Sequence, residues 1–146
     1  MRTQILLILL IINFTAVFGQ NKDNSFVGKW VTEPDRNGMI NFISLNENGT
    51  GITGPGRYSN GKIELSKFMK SELQNWEIEK DTLKLTTNPI PRGKDKEPKS
   101  MILTYIILEK KKDVFSAYYS DLEMDKMMKE AGEEVVPIKL IFKKTE

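Results

Sequence analysis

From residue 26 to residue 144 apolar side chains recur at every second position, in short runs that Gly, Asn or Asp interrupts. A period of two sends successive side chains to opposite faces of an extended backbone, so such a chain folds as β-sheet with one face buried. The runs cover residues 26–33, 39–46, 50–53, 73–80, 82–87, 101–109, 113–120 and 135–144, with a weak edge strand at 62–65. Turn chemistry lies between them: Pro34 to Gly38, Asn48-Gly49, Asn60-Gly61 and Asp81. Asn-Gly pairs accept the positive φ angles of a tight hairpin. The stretch 54–72 is the least legible, since Gly54-Pro55-Gly56 and Asn60-Gly61 break it twice.

Two segments depart from the alternation. Residues 88–99 hold three prolines and six charged side chains and read as a solvent-exposed loop. Residues 121–131 carry a helical pattern, with Met124, Met127, Met128 and Ala131 on one stripe, Ser120 and Glu123 as a capping box and Gly132 as the stop. The strand at 101–109 is apolar on both faces: Met101, Leu103, Tyr105 and Ile107 on one, Ile102, Ile106 and Leu108 on the other. Its second face needs a cover, and the methionine stripe is the expected one. In the last strand Val136, Ile138, Leu140 and Phe142 share a face while Lys139 and Lys143 face out.

About eight antiparallel strands with one short helix before the last of them close most simply into an up-and-down barrel, because closure removes the sheet edges. The inward faces then bring Trp30, Phe42, Trp76, Tyr105, Phe115 and Phe142 to the interior, and these six are the candidate ligand-binding residues. An eight-stranded barrel is wide enough either to be filled by its side chains or to hold one small molecule.

The first 19 residues read as an export signal. Arg2 precedes an apolar run at 5–12, Asn13 interrupts it, and Ala16 and Gly19 supply the small residues of a cleavage site. The run is shorter than the roughly 20 apolar residues that cross a bilayer. Residues 20–25 follow as a polar, disordered leader, and residues 26–146 form the barrel domain. The chain has no cysteine, so it offers neither a disulfide nor a lipid attachment point, and a free periplasmic or secreted product with no stable membrane insertion is expected. A formal net charge of +2 lacks the basic field that gathers phosphates, so nucleic acid is not an expected partner.

Gly28-Lys29-Trp30 in the first strand, followed by Asn48-Gly49-Thr50-Gly51, Trp76-Glu77-Ile78 and Asp81-Thr82-Leu83-Lys84-Leu85, resembles the small secreted lipocalin-like domains of bacteria. The resemblance covers residues 26–143. It implies a calycin-type barrel, a Trp30 that lies across the closed end, and an interior cavity for a small apolar molecule. In lipocalins that tryptophan packs against an arginine of the last strand, where this chain has only Lys139, Lys143 and Lys144.

The chain also has no histidine, which together with the missing cysteine removes imidazole acid–base chemistry, thiol nucleophiles and the usual zinc and copper ligand sets. Glu77 and Glu79 alternate away from Trp76 and serve to solvate the sheet. Asp121, Glu123 and Asp125 lack the glycine and the bidentate glutamate of a calcium loop and suit the start of a helix instead. Gly49, Gly51, Gly54 and Gly56 meet neither phosphate-loop spacing. No cofactor, no metal and no enzymatic activity are expected. The function expected is binding of a small hydrophobic molecule in the barrel interior; the alternative is a structural or protein-interaction module of the bacterial envelope with a packed core.

Overall fold

The computed structural model describes residues 23–91, 93, 94 and 96–146, so the expected export signal and the first part of the leader lie outside the described residues. Asp23 is the first of the described residues. Its carboxylate accepts the Ser25 N–H at 2.9 Å and caps a 3-10 turn, Asn24–Phe26, whose Phe26 is buried. The end of the expected disordered leader is thus structured, because Phe26 anchors it in the core.

Nine strands and one helix follow: β1 (Gly28–Thr32), β2 (Met39–Leu45), β3 (Gly51–Ser59), β4 (Lys62–Leu65), β5 (Ser71–Glu79), β6 (Thr82–Thr87), β7 (Ile102–Lys110), β8 (Val114–Ser120), α1 (Leu122–Glu130) and β9 (Ile138–Thr145). Every pairing is antiparallel. The ring runs β1, β2, β3, β5, β6, β7, β8, β9 and returns to β1, giving a closed barrel of eight strands with α1 before the last. This closed meander is consistent with the calycin and lipocalin superfamily fold.

The ninth strand, β4, stands outside the ring. One edge of β3 is divided: Gly51 to Thr53 pair with β5, and Gly56 to Ser59 pair with β4. The β3–β4 hairpin turns on Asn60 and Gly61, with φ of 50° and 74°, the two positive values that a primed two-residue turn needs. The connection from β4 to β5 then crosses β3 at Gly54, where a Cβ would stand 2.9 Å from the carbonyl oxygen of Met69. Only a glycine admits that crossing.

Register sorts the side chains. Trp30, Ile43, Leu45, Leu73, Trp76, Leu83, Leu85, Tyr105, Phe115, Ala117 and Phe142 form the interior cluster. A bulge between Leu73 and Asn75 lets both Leu73 and Trp76 point inward, where strict alternation would pair Trp76 with Gln74.

Among the described residues the expected cover of β7 by the methionine stripe is absent. Met124 and Met127 are 54% and 64% exposed, and Ile102, Ile106 and Leu108 on the outer face of β7 are 63%, 38% and 44% exposed. Only Asp121 separates β8 from α1, so the helix leaves from the barrel rim and cannot swing back over the outer wall. Asp121 is also the cap, accepting the Met124 N–H at 3.0 Å, while the Ser120 hydroxyl donates to Asp125 at 3.1 Å. Met127→Asp should therefore change the urea-unfolding free energy by no more than about 0.5 kcal/mol, as for other exposed positions. A loss of several kcal/mol would mean that the helix packs more closely than its exposure indicates.

Candidate functional site: the barrel interior and its open end

Five of the six candidate residues do point inward and are packed together. Phe115 stacks on Phe142 at 4.7 Å between ring centroids, Trp30 meets Phe115 edge-on at 5.0 Å, and Tyr105 meets Phe142 edge-on at 5.8 Å. Trp30, Trp76 and Phe142 are fully buried and Phe115 is 1% exposed. Aromatic pairs at these separations attract one another beyond the area they bury. Trp76 completes the floor by donating its indole N–H to the Asn46 carbonyl at 2.8 Å.

Phe42 is the exception. It faces away from Ile43 and Leu45 and joins Val31 and Ile40, with Ile63 and Leu65 against them, in a second cluster on the outside of the ring. Within β2 both faces are apolar, so alternation alone could not tell which was inner. The deciding partner is β4, which lies outside the ring and needs apolar side chains to rest on.

The end of the barrel at Gly28 is sealed. The Trp30 indole N–H donates to the Phe26 carbonyl at 2.7 Å, tying the 3-10 turn to β1. Two ammonium groups lie over the aromatic faces there: Lys110 Nζ is 5.0 Å from the Trp30 ring and 5.2 Å from Phe26, and Lys144 Nζ is 5.4 Å from Trp30. These lysines stand where the family resemblance places an arginine. Lys110 also donates to the Lys111 carbonyl at 2.6 Å, and desolvation followed by repulsion from Lys144 lowers its pKa. Gly28 has a φ of 130°, a backbone conformation that L side chains rarely adopt, which gives the glycine of the motif its reason; a Cβ there would also meet Lys144 Cε at 2.6 Å, and that flexible side chain can move aside.

The other end is open. Above the aromatic floor Leu103, Tyr119 and Leu140 are only partly buried, while the hydroxyls of Thr32, Thr53 and Thr87 are turned to the backbone. An apolar cavity of about 500 Å³ lies between the 88–101 segment and the start of α1, lined by Ile90, Met101, Ile102, Leu103 and Leu122 among others. A shallower cavity of about 350 Å³ opens beside it between the 33–38 turn and β9, lined by Thr32, Asp35, Asn41, Pro55 and Leu140. Sequence reasoning passed over the first of these because residues 88–99 read as solvent loop. The missed signal was Ile90 between two prolines; it bridges to Lys99 and lines the cavity with Lys99 and Ser100.

Tyr105 and Tyr119 sit side by side below this mouth, 5.4 Å apart. Burial pushes the Tyr105 phenol far up, with Tyr119 adding to it; burial, then Asp121 and Asp125, push Tyr119 up. An unfolded tyrosine ionises near pH 10, so above that pH the unfolded chain releases protons that the folded chain retains. Their contribution is complete below about pH 10 and is lost as pH rises toward the folded values. Tyr105→Phe should flatten the alkaline fall in stability by up to about 1.4 kcal/mol per pH unit, read from urea unfolding above about pH 10. An unchanged slope would place the loss elsewhere.

Glu79 pairs with Lys84 at the surface, and among the described residues no group of three or more acidic side chains could hold a metal ion. Among the described residues, too, no helix is long and apolar enough to cross a membrane. Comparison with family models, with curated proteins and with solved structures finds no match.

Proposed function

We propose that this is an exported, non-catalytic protein of lipocalin-like type that takes a small apolar molecule at the open end of its barrel. The observation that carries the reading is the 500 Å³ apolar cavity above a packed floor, a volume within the usual range for small-molecule sites. The ligand lies against Leu103 at the end of β7 and does not enter the aromatic cluster, since Phe115, Phe142 and the two tryptophans are already buried and do not line the cavity. Ile90, Met101, Leu103 and Leu122 supply the apolar contacts, and Ser100 and Asp121 stand at its polar margin.

The test is titration with an apolar fluorophore, alongside mass spectrometry of gently purified protein for a carried ligand. Met101→Asp and Leu122→Asp alter residues that are 49% and 71% exposed, so the fold should survive. The pair should weaken fluorophore binding at least tenfold, about 1.4 kcal/mol. Absence of both a carried ligand and saturable uptake would sink the reading.

A second reading rests on the uncovered outer face of β7, where Ile102, Ile106 and Leu108 stand in solvent. It makes the protein an interaction module of the envelope. Sedimentation and pull-down with Ile106→Lys separate the two, because Ile106, unlike Ile102, does not line the cavity.

A further inference from the structure

The connection between β4 and β5 presents an apolar side chain to solvent under conditions that a soluble loop normally avoids. Phe68 is 99% exposed and its neighbour Met69 is 64% exposed. The loop is not slack. The Lys70 N–H donates to the Ser66 carbonyl at 2.9 Å, closing a single helical turn with Phe68 at its apex, and the Ser66 N–H donates to the Pro55 carbonyl at 2.9 Å. Its far side lies on Gly54, where the missing side chain leaves room for the Met69 carbonyl and the Lys70 backbone. Both ends are therefore pinned to β3 and the apex is held away from it.

An apolar refuge lies close in sequence. Leu65, three residues before Phe68, packs with Val31, Ile40 and Phe42 on the outer wall, and Phe68 does not join it. Lys67 and Lys70 flank the apolar pair, both exposed, and Arg57 and Lys62 stand on the adjoining hairpin against Glu64 and Glu72. A convex apolar apex flanked by two exposed lysines matches the chemistry of a bilayer interface, where rings and thioethers enter the headgroup region and ammonium groups meet anionic lipids. A protein partner would need a broad matching face, whereas the exposed apolar surface here is the tip formed by Phe68 and Met69.

We propose that the 66–70 loop is a reversible docking tip for an anionic lipid surface, with Phe68 and Met69 entering the interface and Lys67 and Lys70 contacting headgroups. It acts independently of the ligand site and involves no membrane-spanning segment.

The experiment is co-sedimentation of the purified protein with phosphatidylglycerol–phosphatidylcholine vesicles, compared with phosphatidylcholine alone. Binding should favour the anionic vesicles, fall as salt is raised, and drop at least tenfold in Phe68→Ser and in the double variant Lys67→Glu/Lys70→Glu. All three positions are exposed, so the unfolding midpoints should match the parent and loss of fold is checked directly. Phe68→Trp adds a reporter: Trp30 and Trp76 are fully buried, so a blue shift on adding vesicles must come from residue 68. No sedimentation, or sedimentation indifferent to Phe68→Ser, overturns the proposal. So does a residue-68 blue shift that appears without lipid as protein concentration rises, which would assign the tip to a protein contact.

Discussion

Trp30→Ala should lower the free energy of unfolding by about 3–5 kcal/mol, the usual range for deleting a large aromatic from a packed core. The side chain is fully buried, edge-on to Phe115, and its indole N–H holds the Phe26 carbonyl. Truncation opens a cavity beside Phe115, leaves a carbonyl without its donor and removes the ring beneath Lys110 and Lys144. The 3-10 turn should loosen with it, held afterwards by the packing of Phe26 on Phe115 at 5.4 Å. Urea unfolding checks the expectation through a lower midpoint at unchanged slope, and Trp30→Phe should recover part of the loss by refilling the space without the N–H. A shift under about 1 kcal/mol for the alanine variant would show that the sealed end is not part of the cooperative core.

Gly51→Ala should cost about 1–3 kcal/mol although it adds only one methyl group. Gly51 is buried at the start of β3, paired with Leu45 on one side and Leu73 on the other. A Cβ there would overlap the backbone carbonyl oxygen of Ser44 and stand 3.1 Å from Leu73 Cδ1. The leucine can turn aside, but the carbonyl belongs to a paired strand and moves only by disturbing the β2–β3 ladder. Gly38→Ala is the control: it has a φ of 74° and no atom within 4 Å of the added methyl, so it incurs backbone strain without collision, at roughly 1–2 kcal/mol. Unfolding free energies at or above the parent's for Gly51→Ala would contradict the packing described.

How far these features could be read in the chain depends on how local their causes are. Alternation located the strands because burial on one face is written directly into residue order, and the weak edge strand at Lys62–Leu65 is found where the pattern placed it. β3 is longer than its legible part, Gly51 to Thr53, because Gly54, Pro55 and Gly56 read as breakers while the fold uses them as the flat surface under the β4–β5 connection. Likewise β9 begins at Ile138, just past Pro137, although its pattern starts earlier. Five inward aromatics followed from register. Phe42 did not, since Ile40, Phe42 and Ile43 make β2 apolar on both faces and the choice between them is made by a strand more than twenty residues away. The cavity was least legible of all. It arises where a loop, a strand end and a helix start converge, and no single segment carries that meeting in its own composition.

The closure of the ring by β1 and β9 has a consequence for the order of folding. Lys29 pairs with Thr145 and Thr32 with Phe142, so the first strand meets the last and nothing nearer in sequence can take its place. Until β9 is available the chain is an open sheet whose free edges are β1 and β8, each able to template a stranger. Local hairpins such as β5–β6 and β7–β8 can form early, but the cooperative step waits for the C-terminus and carries the loop-closure cost of nearly the whole domain. Such a chain closes only once β9 has been synthesised, and until then the ring stays open.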